Sequence, residues 1–172
     1  ARAAIAASPD APVIANLALL GDKHFLFSET GRSFIMFGVR GGSWVALGEP
    51  VGPPEERLEI LWQFRELCDR HGAWPAFYHI APDSLPQFVE LGLTFQKLGE
   101  EGVVPLDRFS VEELKNRNLR YTFRRLRRDG CRFEIVPVEG VPGILDTLAA
   151  ISAEWLSAKN AREKGFSLGR FE

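Results

Sequence analysis

The residues best suited to chemistry are arginines that recur every three or four positions between residues 115 and 128. At about 100° per residue, a helix over this stretch gathers five of them on a face roughly 100° wide. We call Arg117, Arg120, Arg124, Arg127 and Arg128 the basic face, and Tyr121 borders it. Arginines at this spacing can bind successive phosphates, and a tyrosine beside them can stack on an exposed base. The pattern therefore predicts a helix that binds a polyanion.

Charge is concentrated in the same stretch. Residues 112–132 contain eight Lys/Arg and three Asp/Glu, a net charge of +5, whereas the whole chain carries −2. A basic helix on an otherwise acidic chain indicates a local contact with a polyanion. The alternative is a solvated face whose charges pair within the helix, for which only Glu112, Glu113 and Asp129 are near enough in sequence. Nucleic-acid phosphate and lipid phosphate remain equally open as ligands.

Two other side chains could move a proton. Glu49 lies in a Gly/Pro loop, where a carboxylate can act as a base or hold an ammonium, or simply stabilise a turn. His79 lies near the end of a predicted strand and is either a proton-transfer group or a packed histidine. Cys68 and Cys131 lack the neighbours of an activated thiol, so we expect both in the core. No metal-ligand spacing or nucleotide-binding loop occurs, and no metal or cofactor is expected.

The elements that position these residues follow from periodicity and turn signals. With 172 residues, 45% hydrophobic and 26% charged, the chain suits a globular protein, and no apolar run approaches the ~18 residues of a membrane span. Residues 1–7 are expected to be a linker or the tail of a removed segment, and the strand at 75–80 is expected to be central. Strands are predicted at 24–28, 33–39, 43–47, 75–80, 94–98, 102–106 and 131–136, and helices at 8–20, 55–70, 84–91, 115–128 and 142–159.

The order of these elements indicates a fold class. Three antiparallel strands, a helix that opens from the rigid loop at 48–54, a strand, a helix and two closing strands follow one another in the chain. This is the order of a GNAT-type acyltransferase, so we expect an α/β (α+β) fold with a central, mostly antiparallel sheet.

Several short motifs support a more specific resemblance. They are Phe-Leu-Phe-Ser at 25–28, Gly-Arg-Ser-Phe at 31–34, Gly-Glu-Pro-Val-Gly at 48–52, Leu-Arg-Tyr at 119–121, Arg-Leu-Arg-Arg-Asp-Gly at 125–130 and Gly-Phe-Ser-Leu-Gly-Arg-Phe at 165–171. In this order they resemble the soluble C-terminal domain of bacterial phosphatidylglycerol lysyltransferases, the multiple peptide resistance factors. The likeness spans roughly residues 21–172.

The resemblance implies a reaction and a place in the cell. Members of this family move lysine, or in some cases alanine, from aminoacyl-tRNA to phosphatidylglycerol at the cytoplasmic face of the bacterial inner membrane. The product makes the membrane less anionic and gives resistance to cationic antimicrobial peptides. A multi-span membrane domain carries the catalytic region. By this resemblance, the basic face and Tyr121 would bind tRNA or phosphate, and Glu49 and His79 would be the candidate catalytic residues.

The resemblance also implies a domain organisation. The catalytic region of the family is two GNAT-like folds in tandem, joined by a long basic helix. Residues 1–20 would then be an N-terminal linker or helix, 21–110 the first fold, 111–130 the connecting helix and 131–172 the start of the second fold. Because a second fold needs about 100 residues, and catalysis in the family depends mostly on it, we expect the 172-residue fragment alone to be inactive.

Two alternatives from other function classes remain open. One is a GNAT N-acyltransferase that uses acyl-coenzyme A, although the prolines of the 48–54 loop remove amide donors that a pyrophosphate would need. The other is a binding module for tRNA or an anionic membrane that performs no chemistry. The apolar stripe of Leu119, Phe123 and Leu126 beside the basic face also leaves a homo-oligomer contact open.

Overall fold

The computed structural model of this protein describes residues 1–111 and 117–169. Its strands form one sheet, and short 3₁₀ helices at Val13–Leu20, Pro82–Ser84, Leu106–Arg108 and Val138–Gly143 link several of the larger elements. The strands are β1 (His24–Phe27), β2 (Phe34–Arg40), β3 (Ser43–Leu47) and β4 (Trp74–Tyr78). The helices are α1 (Arg2–Ala6), α2 (Pro54–Arg70), α3 (Leu85–Glu90), α4 (Arg117–Arg128), α5 (Leu145–Ala158) and α6 (Gly165–Leu168).

The sheet is mostly antiparallel and has the order β1-β2-β3-β4. β1 pairs with β2 and β2 with β3 in antiparallel hairpins, whereas β4 joins β3 in parallel. A parallel neighbour requires a crossover, which α2 supplies. The α+β class and the mostly antiparallel sheet predicted from the sequence are therefore confirmed.

The sheet is buried on both faces around β2. Ile35 and Phe37 point into a core with Ile60, Leu61 and Phe64 of α2. Successive residues of a strand point to opposite faces, so Phe34 and Met36 enter a second core, which also contains residues of α1 and of the Val13–Leu20 helix. A strand covered on both sides needs a continuous apolar run, which explains the Phe-Ile-Met-Phe sequence at 34–37.

A close approach of an aromatic ring requires glycine at the middle of β2. A Cβ on Gly38 would lie 3.1 Å from Cε2 of Phe166, whose ring belongs to the second core. The Nζ of Lys23 lies 5.8 Å from the centroid of the same ring and forms an ion pair of 2.7 Å with Asp22. The segment that contains α6 is thus packed against the sheet through Phe166.

The chain divides into two compact units, Ala1–Phe95 with Trp155–Glu172, and Gln96–Glu154. The first contains the sheet and both cores. The second contains α4, and none of its described residues is buried.

Three groups of predictions are wrong. Residues 94–98, 102–106 and 131–136 form no strands, so β4, expected to be central, is instead an edge strand. The predicted linker at 1–7 contains α1, whose Ala4 is buried. The helix expected over 8–20 is a 3₁₀ helix that ends at Gly21, in a left-handed conformation with φ of 75°.

The other predicted elements are confirmed to within a few residues. For the basic helix this holds from residue 117 onward, since its predicted first residues, 115 and 116, lie outside the described part of the chain.

Candidate functional site

The predicted basic face is present on α4, which begins at Arg117 and ends at Arg128. Its sequence favours a helix because long unbranched arginines alternate with Leu and Phe at helical spacing. At its end, Gly130 adopts φ of 78° and the Cys131 amide donates to the Leu126 carbonyl at 3.0 Å, a glycine-based helix cap.

Carboxylate partners are unevenly distributed along this helix. Asp129 pairs with Arg125 at 3.8 Å and with Arg128 at 3.6 Å. Within residues 1–111 and 117–169, Arg120, Arg124 and Arg127 form no ion pair, and the same is true of Arg117. Glu112 and Glu113, the other predicted partners, lie outside the described residues. Four of the five arginines of the basic face are thus free of a described carboxylate, and Arg128 shares Asp129 with Arg125.

A cleft of about 280 Å³ lies along one side of α4. We call it the α4 cleft. Its described lining consists of Val111, Arg120, Phe123, Arg124 and Arg127. Three guanidiniums and two hydrocarbon side chains therefore surround one concavity, and Tyr121 is not part of the lining. A sequence pattern could predict the arginines, but not Val111, which enters from outside the helix.

Glu49 follows β3 in the loop that leads to α2. One oxygen of its carboxylate accepts a hydrogen bond from the Ala81 amide at 2.8 Å, and the other accepts one from the Ser84 hydroxyl at 2.7 Å. These contacts connect the loop to the segment after β4. The arrangement favours a structural role for Glu49, since both oxygens already have donors.

His79 follows β4 directly. Leu47 and Tyr78 are paired in the parallel register of β3 and β4, so Glu49 and His79 follow the carboxyl ends of two neighbouring strands, at the same end of the sheet. His79 has a positive φ of 71°, which is uncommon for a non-glycine residue and often marks a functional position. The structure brings the two candidate catalytic residues to one end of the sheet, in a different unit from the basic face.

Comparison with known proteins gives a family. The family model described as phosphatidylglycerol lysyltransferase, C-terminal, matches residues 2–172. The chain belongs to this family. Proteins named phosphatidylglycerol lysyltransferase from Bacillus subtilis and Staphylococcus epidermidis are 35% and 30% identical to it over 159 and 158 residues, which is 92% of the chain in both cases.

Solved structures of the family have the same fold. The C-terminal domain of a putative lysylphosphatidylglycerol synthetase from Agrobacterium fabrum is 43% identical with a TM-score of 0.89, and L-PGS from Bacillus licheniformis is 32% identical with a TM-score of 0.85. The acyltransferase-like α+β fold predicted from the sequence is therefore confirmed. The chain spans 54% of each of these solved chains, and 18% and 19% of the length of the two curated relatives.

Sequence reasoning missed a buried polar network in this family member. Glu56, in the first turn of α2, accepts hydrogen bonds from the hydroxyls of Ser33 at 2.6 Å, Ser28 at 3.0 Å and Thr30 at 2.9 Å. Arg32 completes the network at 2.5 Å. These donors, above all the Ser33 hydroxyl, lower the pKa of Glu56 to about 2 against the opposing effect of burial. The only sequence signal was a Ser/Thr-rich turn 23 to 28 residues before Glu56.

The cysteines differ from the prediction at one position. Cys68 is fully buried, as expected, and burial raises the pKa of its thiol to about 11. Cys131, which we expected in the core, is exposed because no strand forms at 131–136.

In the described ranges 1–111 and 117–169, no group of His, Cys, Asp and Glu could hold a metal ion. No helix of the same ranges is both long and apolar enough to cross a bilayer.

Proposed function

We propose that this chain is part of an aminoacyltransferase that moves lysine from aminoacyl-tRNA to phosphatidylglycerol, with alanine as the alternative amino acid. The observation that carries the proposal is the family match over residues 2–172, whose description names phosphatidylglycerol lysyltransferase. The reaction would work at the cytoplasmic face of the inner membrane and make that membrane less anionic. Resistance to cationic antimicrobial peptides would follow from the lower surface charge.

The basic face of α4 supports the proposal because the reaction has two polyanionic substrates. Transfer of an ester-linked aminoacyl group requires both substrates to be held in a fixed geometry. Arginines without a described carboxylate partner are available to bind phosphate oxygens through paired donors. We assign the role of tRNA or phosphate binding to Arg117, Arg120, Tyr121, Arg124, Arg127 and Arg128.

The domain organisation is part of the same proposal. In this proposal residues 1–20 are the N-terminal segment, 21–110 the first GNAT-like fold, 111–130 the connecting helix and 131–172 the start of a second fold, the last part of which, from Trp155 onward, belongs to the same compact unit as the sheet. The observation that the chain spans 54% of two solved relatives is in keeping with one complete fold and part of another. A parent protein with a membrane domain, and self-association of the chain, belong to this proposal as well.

Glu49 and His79 stay the candidate proton-transfer residues of this half. Their shared position after the carboxyl ends of β3 and β4 supports a joint role, because groups at the same end of a sheet can act on one substrate. The two hydrogen bonds of the Glu49 carboxylate favour the structural alternative for that residue. We rank His79 first because of its positive φ of 71°.

An acyl-coenzyme A transferase is the second enzyme candidate, and the start of α2 disfavours it. A pyrophosphate would need free amides at this helix N-terminus. Residues 50, 53 and 54 are prolines without an amide hydrogen, and the Val51 amide donates to the Phe34 carbonyl at 2.9 Å. The carboxylates of Glu55 and Glu56 lie in the first turn, so an incoming pyrophosphate would meet two negative charges.

In the decisive experiment, the full gene product is incubated with aminoacyl-tRNA and phosphatidylglycerol, and the lipid product is identified by mass spectrometry. A lysyl or alanyl ester of phosphatidylglycerol is expected. A non-catalytic binding module would give no aminoacyl lipid, and a coenzyme A enzyme would give a product only with acyl-coenzyme A.

The basic face is tested in the same assay. Replacing Arg120, Arg124 and Arg127 together with Ala is expected to lower transfer at least about tenfold, because three guanidinium contacts to phosphate are lost. A triple variant at Arg125, Arg132 and Arg162 changes the net charge equally but lies outside the basic face. Equal transfer by the two triple variants, with both folded by circular dichroism, would remove the basic face from the mechanism.

A further inference from the structure

The α4 cleft lies at the border between two chemically different surfaces. At about 100° per residue, its arginines fall between about 280° and 340° with Arg117 at 0°, and Phe123 falls at about 240°. The apolar stripe of Leu119, Phe123 and Leu126 occupies about 180° to 240° on the same scale. The cleft therefore extends from the middle of the basic face, at about 330°, to the edge of the apolar stripe.

The described lining of the cleft offers only two kinds of contact. Arg120, Arg124 and Arg127 contribute hydrogen-bond donors and positive charge, whereas Val111 and Phe123 contribute hydrocarbon. No described lining side chain carries a hydrogen-bond acceptor. A nucleobase edge presents donors as well as acceptors, and the described lining side chains could pair only its acceptors. A phosphodiester presents acceptor oxygens to the guanidiniums and therefore suits this cleft.

The apolar residues indicate what is attached to the phosphate. Phe123 is 42% exposed although it faces a concave surface, so hydrocarbon is available for contact. A volume of about 280 Å³ is at the small end of ligand sites and suits a single headgroup rather than a run of nucleotides. A phospholipid joins one phosphodiester to glyceride carbons, and this matches the border position of the cleft.

We propose that the α4 cleft binds the phosphodiester headgroup of an anionic phospholipid. Its phosphate contacts Arg120, Arg124 and Arg127, and its glyceride carbons pack on Phe123 and Val111. This inference rests on the proposed function and deepens it, because it gives the lipid acceptor a site of its own. The remainder of the basic face, Arg117 and Arg128 with the neighbouring Tyr121, is then left for the phosphates of tRNA.

The test measures binding of the 172-residue chain to phosphatidylcholine vesicles with and without phosphatidylglycerol, and separately to uncharged tRNA. Arg124→Gln is compared with Arg125→Gln, because these neighbours undergo the same change of charge and only Arg124 lines the cleft. Arg124→Gln is expected to weaken binding to phosphatidylglycerol vesicles about fivefold, and Arg125→Gln less than about twofold. Equal losses would indicate diffuse attraction to the vesicle surface and would overturn the proposal.

A second pair of variants tests the apolar contact at constant charge. Phe123→Ala is expected to weaken vesicle binding about threefold and leave tRNA binding unchanged. Leu126→Ala is the control, since Leu126 is also 42% exposed but does not line the cleft. Vesicle binding unaffected by Phe123→Ala would refute the apolar contact. Inorganic phosphate is expected to compete only weakly with the vesicles for the chain. If phosphate competes as strongly as phosphatidylglycerol does, the apolar contact is also refuted.

These experiments can separate failure of the proposed lipid site from failure of the proposed transferase function. If Arg124→Gln weakens binding to tRNA and not to vesicles, the cleft is an RNA site and this inference fails. The proposed function survives in that case if the full gene product still forms aminoacyl phosphatidylglycerol. If no aminoacyl lipid forms while the vesicle results hold, the proposed function fails and the lipid site stands.

Discussion

Gly52 allows the loop after β3 to cross Ser33, and replacing it with Ala is expected to disrupt the network around Glu56. Gly52 has φ of 146°, and a Cβ there would lie 2.2 Å from Oγ, 2.6 Å from Cβ and 2.7 Å from Cα of Ser33. Ser33 cannot yield easily. It is fully buried, its amide donates to the Ser28 hydroxyl at 3.1 Å, and its own hydroxyl donates to Glu56 at 2.6 Å.

Two costs add up for Gly52→Ala, and one gain offsets them in part. The unfavourable backbone conformation costs about 1–3 kcal/mol, and overpacking against Ser33 costs about 1–3 kcal/mol. The lower entropy of the unfolded chain returns about 0.4–1 kcal/mol. We therefore expect the free energy of unfolding to fall by about 1–5.6 kcal/mol. With a urea slope of about 2 kcal/mol per M, the urea midpoint decreases by about 0.5–2.8 M.

The assay is urea unfolding followed by tryptophan fluorescence, with Gly31→Ala as the matched control. Gly31 also has a positive φ, of 71°, but nothing lies within 4 Å of a Cβ added there. The control carries the backbone cost of a left-handed residue, about 1–2 kcal/mol, and no steric cost. If the two variants unfold at the same urea concentration, the steric argument is wrong. If Gly52→Ala is as stable as the parent chain, the backbone argument fails as well.

Three further predictions concern single side chains. Because the pKa of Glu56 is lowered from 4.5 to about 2, its ionised carboxylate stabilises the fold fully above pH 4.5, and this stabilisation is lost as the pH falls toward about 2. The urea midpoint should therefore fall between pH 4.5 and about 2, and Glu56→Gln should make the midpoint less dependent on pH in this range. Glu49→Gln is expected to cost about 1 kcal/mol of stability and to keep transfer by the full gene product within about twofold. A loss of transfer beyond about tenfold at full folding would instead make Glu49 the base. Phe166→Ala is expected to cost about 3 kcal/mol in urea unfolding, whereas Phe133→Ala should cost less than about 0.5 kcal/mol because Phe133 is 92% exposed. Equal costs would show that the packing of Phe166 on Gly38 adds no stability.

The sheet could be predicted from the sequence because its signals are local. The apolar run of β2 and the Gly41-Gly42 turn specify a hairpin with β3, and the helical period from residue 55 onward specifies the crossover to β4. The order of these elements was enough to predict the fold class.

The predicted strands that do not form were wrong for a physical reason. Residues 94–98, 102–106 and 131–136 have the composition of strands, but this preference reflects packing on a sheet and is not a property of the backbone alone. Without a partner, their amides gain nothing from an extended ladder. Among residues 1–111 and 117–169 no strand pairs beyond β4, and Phe133 and Ile135 are exposed.

The candidate site was predictable only where one helix supplies it. The basic face follows from residue spacing along α4, whereas the α4 cleft also needs Val111 from the preceding segment. The Glu56 network needs donors that approach across 23 to 28 residues of chain, which no periodicity encodes. Sequence thus predicted the arginines, and only the fold could show which of them share a concave surface.

The difference between the two cysteines has a practical consequence for all the binding experiments on α4. Cys68 is buried and its thiol has a pKa of about 11, so at neutral pH it is both inaccessible and protonated. Cys131 is exposed and its amide is hydrogen-bonded to Leu126 of α4. A thiol-reactive fluorophore should therefore attach at a single position, one turn from the arginines. The native chain offers a built-in place for a reporter that can follow vesicle or tRNA binding without an introduced mutation.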